Sequence, residues 1–81
     1  MVRTLVRSLI ELLLFLELSG EEIVDPDAAV AQLEAVAALL QDLPERDRAV
    51  IIDEIISIGK ANTDPRAREF IVDLPGSLGL L

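Results

Sequence analysis

The 81-residue chain contains no cysteine and no histidine, and its only aromatic residues are Phe15 and Phe70. The absence of cysteine excludes disulfides and thiolate zinc sites. The absence of histidine removes the commonest general base and the commonest transition-metal ligand. A nucleophile and its base would then have to come from a serine and Lys60, the single lysine. We therefore expect a protein that is not an enzyme and that uses no cofactor and no metal ion.

Basic residues are also scarce. Seven lysines and arginines stand against fifteen aspartates and glutamates, which gives a net charge of −8 at pH 7. A chain of this charge is repelled by phosphate backbones and by anionic lipid. We expect neither nucleic acid nor a membrane surface as a partner, whereas a basic protein is electrostatically acceptable. The lack of cysteine is compatible with a reducing compartment, and we expect a cytoplasmic location.

The N-terminal region lacks an apolar run long enough for a membrane span. Its most apolar part, Leu9–Leu18, reads LIELLLFLEL, and its longest uncharged stretch is the five residues between Glu11 and Glu17. A spanning helix needs about 20 apolar residues. The same two acids argue against a secretory signal, and no small-x-small cleavage site follows. The segment is therefore predicted to be a helix of a soluble protein.

Glycine and proline number only four each, and they fall at the ends of segments with helical periodicity. Ser19-Gly20 is predicted to end the first helix with Gly20 in a left-handed conformation, and Asp25 and Asp64 are predicted to cap later helices. Pro75-Gly76 is predicted to break the chain. The predicted fold is all-α, one small antiparallel helical bundle spanning residues 1–81. Its three main helices cover about 2–18, 26–42 and 44–59, followed by a short fourth helix at 64–73 and an apolar tail at 75–81.

The third segment is rich in β-branched residues that would also suit a strand. At 100° per residue its isoleucines share one arc, and Asp53 and Lys60 fall opposite. Strand alternation would instead bury Asp53 among isoleucines, so a helix is favoured. In the second segment a 4-3-4-3 spacing predicts a seam packed at a shallow angle, formed by Ala29, Leu33, Val36, Leu40 and Leu43.

The first helix has more apolar surface than one contact face requires. A broad stripe is predicted to pack inside the bundle and contains Val2, Leu5, Val6, Leu9, Leu12, Leu13 and Leu16. Ile10, Leu14 and Leu18 form a second edge, with Phe15 on the other flank. A helix that is apolar nearly all round is normally covered on all sides. The cover is either the C-terminal helix and tail, or a second copy of the chain in a two-fold dimer, or a different protein. Ile10, Leu14, Phe15 and Leu18 are thus a candidate oligomer interface.

Five carboxylates lie close together around the end of the first helix, at Glu17, Glu21, Glu22, Asp25 and Asp27. Their spacing does not match a calcium-binding loop. One interpretation is a solvated turn leading into a helix N-terminus, which favours acids. The other is a docking surface for a basic partner protein.

The sequence thus predicts a non-catalytic protein–protein interaction module that forms a homodimer. The alternative is a small acidic protein that neutralises a basic partner, in the manner of bacterial immunity proteins or antitoxins.

Overall fold

The computed structural model describes residues 1–81 and places them in four α-helices with no β-strand. The helices are α1 (Val2–Leu18), α2 (Pro26–Gln41), α3 (Glu45–Ala61) and α4 (Pro65–Ser77). The predicted all-α class is confirmed. Three of the four helices begin and end within two residues of their predicted bounds, and α4 is longer than predicted.

The predicted helix caps form at α2 and α4. The backbone amide of Ala28 donates a hydrogen bond to Asp25 Oδ2 at 2.9 Å, and the amide of Arg66 donates to Asp64 Oδ1 at 3.1 Å. In both helices a proline occupies the first turn, where a missing amide proton costs nothing. These short polar sequences therefore fix where α2 and α4 start.

Consecutive helices alternate in direction. Arg3 near the start of α1 bonds Glu54 and Ser57 in α3, whereas Leu14, later in α1, lines a cleft with Asn62, after the end of α3. Thus α1 and α3 run the same way. Short turns between consecutive helices send α2 and α4 back in the opposite direction, as in an up-and-down bundle.

The core lies between α1, α3 and α4. It consists of nine buried apolar residues: Val6, Ile10, Leu13, Ile55, Ala67, Ile71, Leu74, Leu78 and Leu80. Three of these come from α1 and one from α3, and the rest come from α4 and the residues that follow it. No residue of α2 belongs to the core. The molecule therefore has one well-covered side and one side that is covered poorly.

The predicted break at Pro75-Gly76 is corrected, because α4 continues through both residues to Ser77. Proline in a helix interior removes one hydrogen bond and crowds the preceding turn. Here Pro75 lies in the last turns, its ring is fully buried, and Leu78 N still donates to Leu74 O at 2.8 Å. The apolar tail expected at 75–81 is thus partly helix and partly core.

The chain turns out of α4 at Gly79, two residues after the helix ends; Gly79 is the only residue with a positive φ, at 67°. Gly79 N donates to Gly76 O and Leu80 N donates to Pro75 O, at 3.1 and 2.9 Å. This pair of bonds is the Schellman arrangement, in which a glycine in the left-handed region closes a helix. It turns the chain so that Leu80 enters the core.

Gly20 differs from expectation: it does not adopt a positive φ, and α1 ends with Ser19 in an extended conformation. For the end of α3 the sequence offers Gly59 or Asn62, and the structure has Asn62 as the C-cap after Ala61. A β-carbon on Gly59 would lie 3.0 Å from side-chain atoms of both Ile71 and Val72. Glycine at this position therefore allows α3 and α4 to approach closely.

Candidate interaction surface

The apolar residues of α1 divide between two faces. One face is buried: Val6, Ile10 and Leu13 point into the core and are at most 3% exposed. The other face is open, with Leu5, Leu12 and Phe15 exposed by 61%, 66% and 55%. Leu9 and Leu16 lie between the two and are half-buried. The broad internal stripe predicted for this helix is therefore corrected, because Leu5 and Leu12 lie outside the core.

The open face of α1 is only partly covered by α2. The predicted seam of α2 does face the rest of the molecule, but each of its five residues is half-buried and none is buried. Three of its members, Leu33, Val36 and Leu40, are packed against the core, and Gln41 Nε2 donates a hydrogen bond to Leu78 O at 2.8 Å. An isolated helix of about 12–15 residues is marginal in water, and most helical stability comes from burial of an apolar face. The 16 residues of α2 achieve little of that burial.

An open apolar groove runs between α1 and α2. It has a volume of about 370 Å³ and is lined by Leu9, Leu12, Leu13, Phe15, Leu16, Gln32 and Val36. Gln32 is the only polar residue among them. Leu39 lies one to two turns beyond Gln32 and Val36 on α2 and is 73% exposed. Leu5 lies one turn before Leu9 on α1. We refer to the groove together with Leu5 and Leu39 as the α1–α2 face.

The four residues predicted as an oligomer interface do not lie on one surface. Ile10 is only 1% exposed and Leu14 is half-buried, because both lie against Ile58 and Ile71 of the neighbouring helices. Their assignment to an interface is corrected: α3 and α4 of the same chain cover them. Phe15 lines the groove of the α1–α2 face. Leu18 is 38% exposed and lies on another side, beside Arg66 and Phe70.

Sequence reasoning missed Leu5, Leu12 and Leu39 as members of an exposed face. A signal for Leu39 was present, since this large apolar residue falls outside the 4-3-4-3 seam of α2. For α1 the signal was the width of its apolar arc, which exceeds what one neighbour can cover. In the structure no residue of α2 is buried, so this neighbour covers the leucines of α1 only in part.

The five acids predicted to form a docking surface are all exposed. Asp25 has a structural role, because its carboxylate caps α2. None of the five forms an ion pair, and the single ion pair of the molecule joins Arg3 Nε to Glu54 Oε2 at 2.7 Å. Three of these acids, Glu21, Glu22 and Asp25, lie in the turn between α1 and α2, at one end of the α1–α2 face.

The other clefts have a larger share of polar residues in their lining than the groove of the α1–α2 face. The cleft beside Ile10 is about 150 Å³ and includes Arg3 and Arg7, but Arg3 is already bonded to Glu54 and Ser57. Nowhere do three carboxylates converge as they would around a metal ion. No helix combines the length and apolarity that a membrane span requires. The α1–α2 face is thus the surface with the clearest capacity to bind, and what it can bind is another apolar surface.

Comparisons with profiles of protein families, with curated protein sequences and with solved structures give no significant match for this chain.

Proposed function

We propose that the protein is a non-catalytic protein–protein interaction module that forms a homodimer through its α1–α2 face. The observation that carries this proposal is the apolar groove between two helices, flanked by the exposed leucines Leu5 and Leu39. Exposed apolar surface that is contiguous, rather than scattered, is typical of protein interaction sites. Pairing the groove with its own copy would cover Leu12 and Phe15 and would give α2 a second neighbour.

The accessible surface area of the chain supports the proposed dimer, because its excess over that of an ordinary monomer is about the size of one side of an interface. A monomeric protein of 8.8 kDa is expected to expose about 4,800 Å², whereas this chain exposes 5507 Å². The excess of about 700 Å² is close to the roughly 800 Å² that each partner buries in an interface of standard size. A mean hydropathy of +0.49 agrees with apolar surface that a partner covers in the dimer.

The first experiment is the mass of the protein in solution, measured by sedimentation equilibrium for the wild type and Leu12→Lys. Leu12 is exposed in the single chain, so lysine at this position leaves the core intact, but it would place a charge in the dimer interface. We expect the wild type to have twice the chain mass and Leu12→Lys to be a monomer with unchanged helix content by circular dichroism.

The matched control is Val50→Lys. Val50 is exposed on α3 and does not line the groove, and the substitution introduces the same charge. This variant should dimerise like the wild type. A wild type that is monomeric at high concentration would contradict the proposal, as would a Leu12→Lys variant that is still dimeric.

The alternative is a protein that neutralises a basic partner through the acidic residues near α2. Its support is that Glu17, Glu21, Glu22, Asp25 and Asp27 are exposed and free of ion pairs. Replacing Glu21 and Glu22 by glutamine and Asp27 by asparagine, which leaves the Asp25 cap intact, should then weaken a complex with a basic protein, and added salt should weaken it as well. A complex insensitive to both changes would contradict this alternative.

A further inference from the structure

We infer that the two copies pair antiparallel, so that the start of α1 in one chain lies beside the acidic turn after α1 in the other. This inference rests on the proposed dimer and specifies its geometry. The partner is a second copy of this chain, and the contact surface is the α1–α2 face. Two features carry the inference: the spacing of the leucines on this face and the distribution of charge along α1.

The leucine spacing allows a reversed copy to match. Leu5, Leu9, Leu12 and Leu16 follow each other at intervals of four, three and four residues, which is the same sequence of intervals in either direction. In an antiparallel pair Leu5 therefore faces Leu16 of the other chain, and Leu9 faces Leu12. Intervals of four and three are those of a continuous helical seam. A two-fold axis then passes between the middle two leucines.

The charge distribution selects this arrangement over a parallel one. The first ten residues contain Arg3 and Arg7 and no acid, whereas residues 11–27 contain six acids and no base. A parallel pair would place twelve carboxylates at one end of the dimer, and like charges brought together oppose association. An antiparallel pair separates the two acidic turns and places each beside the start of α1 of the other chain, which carries no acid. The antiparallel arrangement also orients the two α1 helix dipoles in opposite directions, so that unlike ends lie side by side.

The cations at the end of the bundle that carries the acidic turn do not remove the difference in charge between the two ends of α1. Lys60, Arg66 and Arg68 lie at the same end of the bundle, but they belong to α3 and α4. Arg66 faces Glu17 and Glu69, on a side away from the groove. Glu21, Glu22 and Asp27 are thus without a nearby cation on α1 or α2.

The inference is tested by distances between spin labels in the dimer. Because the chain has no cysteine, Thr4→Cys and Glu21→Cys each give one labelled position, and both positions are exposed. In an antiparallel dimer the two Thr4 labels are separated by about 20 Å along the helix axis, while Thr4 of one chain lies near Glu21 of the other. We expect a short distance between the label at position 4 of one chain and the label at position 21 of the other, and only after the two labelled proteins are mixed. Pulsed electron paramagnetic resonance measures the distance between the labels, and sedimentation checks that the labelled proteins stay dimeric.

The other outcomes are separable. Short distances within each unmixed sample would mean a parallel dimer, which would overturn the antiparallel arrangement and leave the proposed dimer standing. A dimer in which neither unmixed nor mixed samples give a short distance would mean a contact through another surface, which overturns both. A monomeric wild type would also overturn both.

Discussion

The two sides of α1 show how differently one helix can be covered by its neighbours. On the inner side α3 and α4 contribute large side chains, and Gly59 lets them approach closely enough to bury Ile71 and Leu74 completely. On the outer side α2 packs loosely: its seam residues are only half-buried, and Leu5 and Leu12 stay exposed. The residues of α1 are large and apolar on both sides. How closely the neighbouring helices pack therefore decides which side becomes core and which side is left open.

This difference also divides the stability of the molecule. Burial of apolar area contributes about 25 cal/mol per Å², so the inner side contributes most of the stability of the single chain. The outer side contributes little until something covers it. The helix α2 is then held by its cap, by its half-buried seam and by the bond from Gln41 to Leu78. Single substitutions on each side separate these contributions.

The largest effect is expected on the inner side. Leu74→Ala removes a fully buried side chain and leaves a cavity, and we expect a loss of about 2–5 kcal/mol in the free energy of unfolding. Leu39→Ala is the same chemical change at an exposed position of α2 and should cost less than about 0.5 kcal/mol in the monomer. Urea unfolding at a low protein concentration, where the dimer is dissociated, measures both values. Equal losses would refute the division of the molecule into a core side and an open side.

A smaller effect is expected where α4 ends. Gly79→Ala should destabilise the protein by about 1–2 kcal/mol, since φ is positive there and the new methyl group would lie 2.6 Å from Gln41 Nε2. Gly76→Ala is the matched control: its methyl group meets nothing within 4 Å inside the same helix, so we expect a gain of about 0.5–1 kcal/mol. Thermal unfolding of the two variants should shift the midpoint in opposite directions. A shift of the same sign would show that Gly79 does not close α4 as described.

The smallest effect is expected at the N-terminus of α2. Asp25→Ala removes the side chain that caps Ala28 N, at a cost of about 1 kcal/mol. Because α2 is poorly covered, this loss should appear as fraying of α2 and should leave the exchange of α3 and α4 amides almost unchanged. Asp27→Ala is the control, since Asp27 accepts no hydrogen bond from a helix amide. Hydrogen exchange resolved by helix measures the difference, and fraying of equal extent in both variants would exclude a specific cap.

Local signals in the sequence were sufficient for the helices. Asp25-Pro26 and Asp64-Pro65 each combine a cap with a proline of the first turn, and the isoleucines of α3 share one arc. The end of α4 could not be predicted in the same way. Pro75 is a helix breaker by propensity, and only the tertiary contacts that bury its ring and Leu80 keep the helix continuous.

The candidate surface was only partly accessible to sequence reasoning. Helical periodicity showed that α1 has too much apolar surface for one neighbour, and this holds in the structure. Periodicity does not specify which neighbour lies where, and by itself it predicts Ile10 at an edge and Leu12 in the interior, the reverse of what is observed. That assignment depends on the positions of α2 and α4 around α1, which only the tertiary structure defines.

The central claim is that α2 is incompletely covered in the single chain and is completed by a second copy. Hydrogen exchange measured at two protein concentrations, one below and one above the dissociation constant of the dimer, tests it directly. The account predicts that α2 amides exchange fast at the low concentration and gain protection at the high one, with a much smaller change in α4. Amides of α2 that are as protected as those of α4 at the low concentration, with no dependence on concentration, would contradict it.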